Sequence, residues 1–287
     1  MSTATTKLSP LGQQVADHLS QLIEDRNIDV PMLPDVASRV LALSNDPDSD
    51  AAQLAKLIQS DQALAGHVMR IANSAAYTPN ASMVSLQQAI ARLGMSLISE
   101  IALAASLNSK LFRAPGFENR SARIWDHALL CGLWGKEIAR LSKKNVEASF
   151  LCGLLHSIGR PAALQTIAEF VKKQGGKIAE EEVALLEDCF HVLFGDVIVR
   201  KWEMPVIVQQ SVQYYRDYQA ATAHKEQAMI INGAAKMASV TLGLTDESLT
   251  EVLKDQVFAD LNLYDDEVEQ LMLKEEQVSS AKEAMRT

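Results

Sequence analysis

No stretch of this sequence approaches the roughly 18 uninterrupted apolar residues of a membrane span, so a transmembrane helix is excluded. Cysteine is scarce: Cys131, Cys152 and Cys189 are the three in 287 residues. Their odd number, wide spacing and apolar surroundings exclude a disulfide framework and point to a reducing cytoplasm. Aromatic residues make up 5%, too few for a platform on which bases stack. Basic residues are outnumbered, 27 Lys and Arg against 36 Asp and Glu, so no basic footprint exists to neutralise a nucleic-acid backbone. The glycines form neither a phosphate-binding P-loop nor a GxGxxG fingerprint, and no GxSxG nucleophile elbow occurs. Met1 to Lys7 shows no basic patch running into an apolar core, so no secretory signal is expected.

What is present is ordinary globular material, 48% hydrophobic and 22% charged. The net charge of −9 is unevenly spread. From Asp246 to Thr287 twelve acids face four bases, leaving the preceding body close to neutral. This acidic tail is self-repelling and is expected to be peripheral to the fold, with Val268, Leu271, Met272 and Val278 as one weak apolar face.

Apolar residues recur with helical period almost throughout, and no sustained strand-like alternation appears. Asp50, Ser60-Asp61 and Ser85 stand where helix caps belong, and Ser85 with Gln88 has capping-box spacing. Gly94 is a plausible helix stop. Residues 112–120, FRAPGFENR, break the pattern and divide two helical lobes. Helices resume over 123–141 and 146–156, and Gly159 with Pro161 is expected to end that run. Further helices are expected near 179–189, 193–202, 205–217 and 224–241. The fold class is all-α.

Chemistry concentrates around two segments, Trp125-Asp126-His127 and Leu154-Leu155-His156-Ser157-Ile158-Gly159. His127 and Cys131 are four apart on one helix face, as are Cys152 and His156. Two such helices packed together would offer a two-His, two-Cys zinc site. The same residues also read as small hydrophobes and satisfied histidines of a core, and that reading is preferred. Asn73, Ser74 and Tyr77 read as a helix terminus, with a partner surface as the other reading. Trp125, Trp202, Met229 and Met237 read as core.

These residues carry a resemblance. LLHSIG is similar to the LLHDIG segment of the HD superfamily of metal-dependent phosphohydrolases. In order along residues 28–241, Pro31-Met-Leu-Pro-Asp-Val36, Ser60-Asp-Gln-Ala-Leu-Ala65, Ile71-Ala-Asn-Ser-Ala75 with Tyr77, Ser85 to Gly94, Trp125-x-His127, Gly153-Leu-Leu-His156 and Trp202-Glu-Met-Pro205 resemble the HDOD family, the HD-related output domain of bacterial signalling proteins. The resemblance implies a two-lobed helical fold. Residues 1–27 would form an N-terminal helical extension and 28–241 the HDOD domain. Within it, 28–111 would be the N-terminal lobe and 121–241 an HD-like, phosphodiesterase-like lobe, with 242–287 as the acidic helical tail.

The departures from the HD pattern govern the expected function. His127 and His156 match two metal-binding histidines, but the paired Asp is Ser157 and the later Asp falls at Ala235. Gln62 replaces a usual proline, and Tyr214-Tyr215 stands where the family often has a double His. Two imidazoles without carboxylates do not complete a catalytic metal site. The expectation is therefore no enzyme, no metal and no cofactor. His127, His156, Ser157 and His191 are the candidates for a relic pocket, with Arg123, Lys136 and Arg160 the cations expected nearby. The expected role is a non-catalytic regulatory module acting by protein–protein contact in the bacterial cytoplasm, without nucleic acid or membrane. The alternatives are a nucleotide or other small-molecule sensor using the relic pocket and, behind it, a metal-dependent phosphohydrolase.

Overall fold

The computed structural model describes residues 8–25, 27–78, 83–108 and 114–286, and among them every regular element is helical. Met1 to Lys7, and Phe112 and Arg113 of the expected break, lie outside the described residues, as does the lobe limit at Leu111. The helices are α1 (Pro10–Glu24), α2 (Asp35–Asn45), α3 (Ala51–Gln59), α4 (Gln62–Ala72), α5 (Leu86–Leu93), α6 (Met95–Asn108), α7 (Glu118–Leu141) and α8 (Val146–Leu155). They continue as α9 (Gly159–Gln174), α10 (Glu180–Lys201), α11 (Val206–Tyr214), α12 (Lys225–Thr241), α13 (Leu249–Val252), α14 (Gln256–Asp260), α15 (Asp265–Met272) and α16 (Glu275–Met285).

Side chains start many of these helices by satisfying the free N–H groups of the first turn. Asp50, Asp61, Ser85 and Asn145 accept from the backbone N–H of Gln53, Leu64, Gln88 and Ala148. Asn73 ends α4, and its side chain then bonds both the N–H and the carbonyl of Met83, tying the following loop to the helix. The terminus reading of that motif therefore has a structural content.

Helices α2 to α6 pack around α6, while α7 packs on α8 and α12, and α9 on α10. The two groups meet where α6 touches α8 and Glu100 pairs with Lys136. Trp202 donates its Nε1–H to the Pro31 carbonyl, 2.8 Å away, as a second tie. Helix α1 lies on α9 and α10, with His18 stacked on Phe170 at 4.7 Å.

Three expectations about local structure are corrected. Gly159 and Pro161 open α9 instead of ending a run. Proline is tolerated in a first helical turn because no intrahelical donor is needed there. Gly159 is needed because a Cβ would lie 1.9 Å from the His191 carbonyl oxygen, where α9 crosses α10. The two helices expected over 179–202 are one, α10, because His191, Phe194 and Ile198 are buried on a continuous face. Helix α7 begins at Glu118, so Asn119 and Arg120 are helical and not part of the linker.

The acidic tail is not peripheral. Val257, Phe258, Leu271, Val278 and Met285 are buried, and α16 packs on α7 and α6 while α14 packs on α12. Arg286 pairs with Asp126 at 3.3 Å. The tail's charge is carried on one side of short helices, and the apolar residues between the acids cover the core. Burying Phe258 alone stabilises the fold by about 1.5–3 kcal/mol.

Candidate functional site

The site forms where α7, α8 and the start of α9 meet α12. At the α7–α8 crossing Gly153 sits so close that a Cβ would lie 2.5 Å from Gly132 Cα. That contact draws α8 onto α7 and brings the His127 and His156 ring centres to 5.3 Å.

Each histidine is committed to a protein partner. His127 Nε2 lies 3.1 Å from the Ala235 carbonyl and 3.0 Å from Ser239 Oγ. A carbonyl only accepts, so the proton sits on Nε2 in the bond to Ala235. His156 Nδ1–H donates to the Gly153 carbonyl at 2.6 Å. His191 Nδ1–H donates to the Asp188 carbonyl at 2.9 Å, and its Nε2 then accepts from the Tyr215 hydroxyl at 2.8 Å. The Tyr215 ring also meets His156 edge-on at 4.9 Å. Tyr215 thus fills the space between the two histidines and supplies the donor that His191 requires.

Burial sets the protonation. It pushes His127 down to about 4, helped by the Arg160 guanidinium. It holds His156 well below the usual imidazole range, with His127 adding to the effect. It pushes His191 down to about 3, again with Arg160 as the second cause. All three rings are neutral at pH 7.

A cavity of about 260 Å³ opens beside this cluster, lined by His127, Ser157 and Ser239 on one side. Arg120, Arg123, Arg160 and Glu187 provide its charged lining, and Ile124 and Leu244 its apolar walls. Ser157 Oγ is buried and has no hydrogen-bond partner among the described residues. Glu187 is almost fully buried and accepts from Arg160 at 2.8 Å and from Arg120 Nε. Asp188 accepts from Arg160 at 2.7 Å and from Arg216 at 3.1 Å.

The expected residues therefore divide. His127, Ser157, Arg123 and Arg160 line the cavity. His156 and His191 do not, because Tyr215 and the backbone enclose them. Lys136 lies elsewhere, paired with Glu100 and 5.6 Å above the Phe150 ring. Cys131 Sγ points to the Ile231 carbonyl at 3.9 Å and Cys152 Sγ to the Ile207 carbonyl at 3.8 Å. Burial drives both thiols up, Cys152 to about 12. Sequence reading missed Arg120, Glu187, Ser239 and Tyr215. Arg120, Arg123, Ile124 and His127 share one face of α7 by their three- and four-residue spacing, and that signal was hidden by assigning Arg120 to the linker.

The donor set does not fit a catalytic metal ion. Ser157 and Ala235 offer no carboxylate, His127 presents a protonated Nε2 to a carbonyl, and a guanidinium stands beside the imidazoles. Among the described residues no group of three His, Cys, Asp or Glu side chains is arranged to hold a metal ion. No helix among them is long and apolar enough to cross a membrane.

Comparison with known proteins places this geometry in context. The family model described as HDOD domain matches residues 30–218, well over half of the chain. A structure of an HDOD domain protein of unknown function from Geobacter sulfurreducens is similar with a TM-score of 0.74 at 18% identity, covering 95% of this chain and 97% of that one. A Shewanella amazonensis structure, named as a candidate metal-dependent phosphohydrolase, is similar with a TM-score of 0.73 at 19% identity, covering 96% of this chain and all of that one. At these identities the likeness is one of fold. An uncharacterised protein of Treponema pallidum is 21% identical over 207 residues, 69% of this chain, and the match spans 40% of that protein's length.

Proposed function

The chain belongs to the HDOD family, and from that premise we propose that it is a catalytically inactive signalling module of bacterial regulation that acts through protein–protein contacts in the cytoplasm. The observation that carries the reading is the state of the HD positions. Ser157 and Ala235 stand where two carboxylates are needed, and His127 bonds the Ala235 backbone carbonyl. Two anionic ligands would neutralise a divalent cation and orient its water. A hydroxyl and a methyl group do neither. The module spans 28–241, with lobes 28–111 and 121–241, and the packed tail completes the second lobe's surface.

What remains at the centre is a rigid set of neutral histidines held by Tyr215, Gly153 and Asp188, which suits a scaffold better than a reaction site. A candidate signal transduction protein from Marinobacter aquaeolei shares the fold, with a TM-score of 0.67 at 18% identity, covering 100% of this chain and 69% of that one. The test is cross-linked affinity capture from the source organism with the full chain as bait, followed by reconstitution of any captured protein with purified chain. A stoichiometric complex formed from the two purified components supports the reading. Turnover of a phosphate ester by the purified chain alone overturns it.

A further inference from the structure

The charged lining of the cavity beside His127 is mostly cationic, unlike that of a metal centre. Three guanidinium groups line it against the single carboxylate of Glu187. Glu187 and Asp188 orient the Arg160 fork through two separate nitrogens, 2.8 and 2.7 Å away. Arg120 commits its Nε to Glu187. Arg123 lies 3.8 Å from Glu180 with both side chains largely exposed, so it is only loosely engaged and can turn inward. Each guanidinium has five donors, and these contacts use only part of that set.

A second, independent observation points to a ligand. Ser157 is 1% exposed, lines the same cavity, and its Oγ has no hydrogen-bond partner among the described residues. A buried hydroxyl without a partner is a cost that an acceptor oxygen in the cavity would remove. A carboxylate ligand would satisfy one guanidinium fork with its two oxygens. Three guanidiniums and a hydroxyl ask for a dianion with three outward oxygens, the geometry of a phosphoryl group. Ile124 and Leu244 on the apolar walls leave room for an organic substituent.

We infer that this cavity binds a small phosphate monoester, its phosphoryl oxygens held by Arg120, Arg123, Arg160 and Ser157 Oγ and its organic part resting on Ile124 and Leu244. The inference rests on the reading that the centre is not a metal site, since Ser157 and Ala235 supply no carboxylate there to hold a cation. It makes the module's input a small phosphorylated molecule that it holds without cleaving.

Isothermal titration of the full chain with AMP, inorganic phosphate and adenosine tests it, with ³¹P NMR of the same mixtures. AMP is expected to saturate one site more tightly than phosphate, and adenosine to give no binding. Arg123→Gln and Ser157→Ala, both of which leave the core packing intact, are each expected to weaken AMP by about tenfold. Added salt is expected to weaken it further. No saturation at millimolar AMP or phosphate overturns the inference and leaves the non-catalytic reading standing. Adenosine binding as well as AMP, or AMP binding indifferent to both variants, also overturns it. Phosphate binding as tightly as AMP overturns the ester and assigns the free ion. AMP that is bound and hydrolysed overturns the non-catalytic reading and leaves the binding site standing.

Discussion

Acidification should unfold this protein through its buried histidines. His127 and His191 are pushed down to about 4 and about 3, and His156 lies well below its ordinary 6.5, each chiefly by burial. In the unfolded chain all three regain the ordinary value. A histidine whose folded value is depressed binds its proton only on unfolding. Its contribution to stability is fully present above pH 6.5 and is lost as pH falls from there toward the folded value. For His127 and for His191 the slope approaches about 1.4 kcal/mol per pH unit only well below pH 6.5, and the total is about 2 kcal/mol on going from pH 7.5 to pH 5. His127 and His191 together amount to about 4 kcal/mol, with His156 adding in the same direction, against a whole stability of about 5–15 kcal/mol for a typical domain. His67 adds in the same direction, and Glu100, raised by burial, works against it. The diagnostic quantity is therefore the slope difference between wild type and single His156→Gln or His191→Gln variants. Urea titrations at half-unit steps from pH 7.5 to pH 5 measure it. His191→Gln should remove about 2 kcal/mol of the stability change between pH 7.5 and pH 5, and His156→Gln should flatten the same slope in the same sense, whatever either does to stability at pH 7.5. Slopes that coincide with wild type would show that these rings titrate alike in both states, and the burial argument would fail.

The tail makes a second case: Phe258→Ala should cost about 3–5 kcal/mol and lower Tm, and truncation after Gly243 should give a poorly folded chain; an unchanged Tm would return the tail to the periphery. Glu187→Gln should cost about 3–5 kcal/mol because it leaves Arg120 and Arg160 facing a neutral amide in a buried site, measured by denaturant titration. Gly153→Ala should destabilise by about 1–3 kcal/mol or more, since its Cβ collides with backbone, and a melt that does not shift would mean that α8 moves away freely.

Much of the fold was legible because helical caps and helical period are local signals. Asp50, Asp61 and Ser85 announce their helices through a side chain and a backbone N–H a turn away, and the structure uses each of them. The start of α9 was not legible, because glycine and proline read as stops unless the neighbouring α10 backbone is known. The tail was misread for a related reason. Its charge is visible in sequence, whereas the burial of Phe258 and Leu271 depends on distant partners in three dimensions. At the site, motif order located His127, His156 and Ser157. It did not reveal that Tyr215 would seal His191, or that Arg120 would face the cavity, because those relations cross between helices far apart in the chain.

The missing carboxylates at positions 157 and 235 are tested most directly by one activity measurement. Purified full chain, loaded in turn with Mn²⁺, Mg²⁺, Fe²⁺ and Zn²⁺, is assayed against a panel of phosphomonoesters and cyclic nucleotides. No turnover above the metal-only background is expected. Turnover that His127→Ala and His156→Ala abolish would contradict it, because it would show that the HD positions still assemble a working metal centre without an aspartate at 157 or 235.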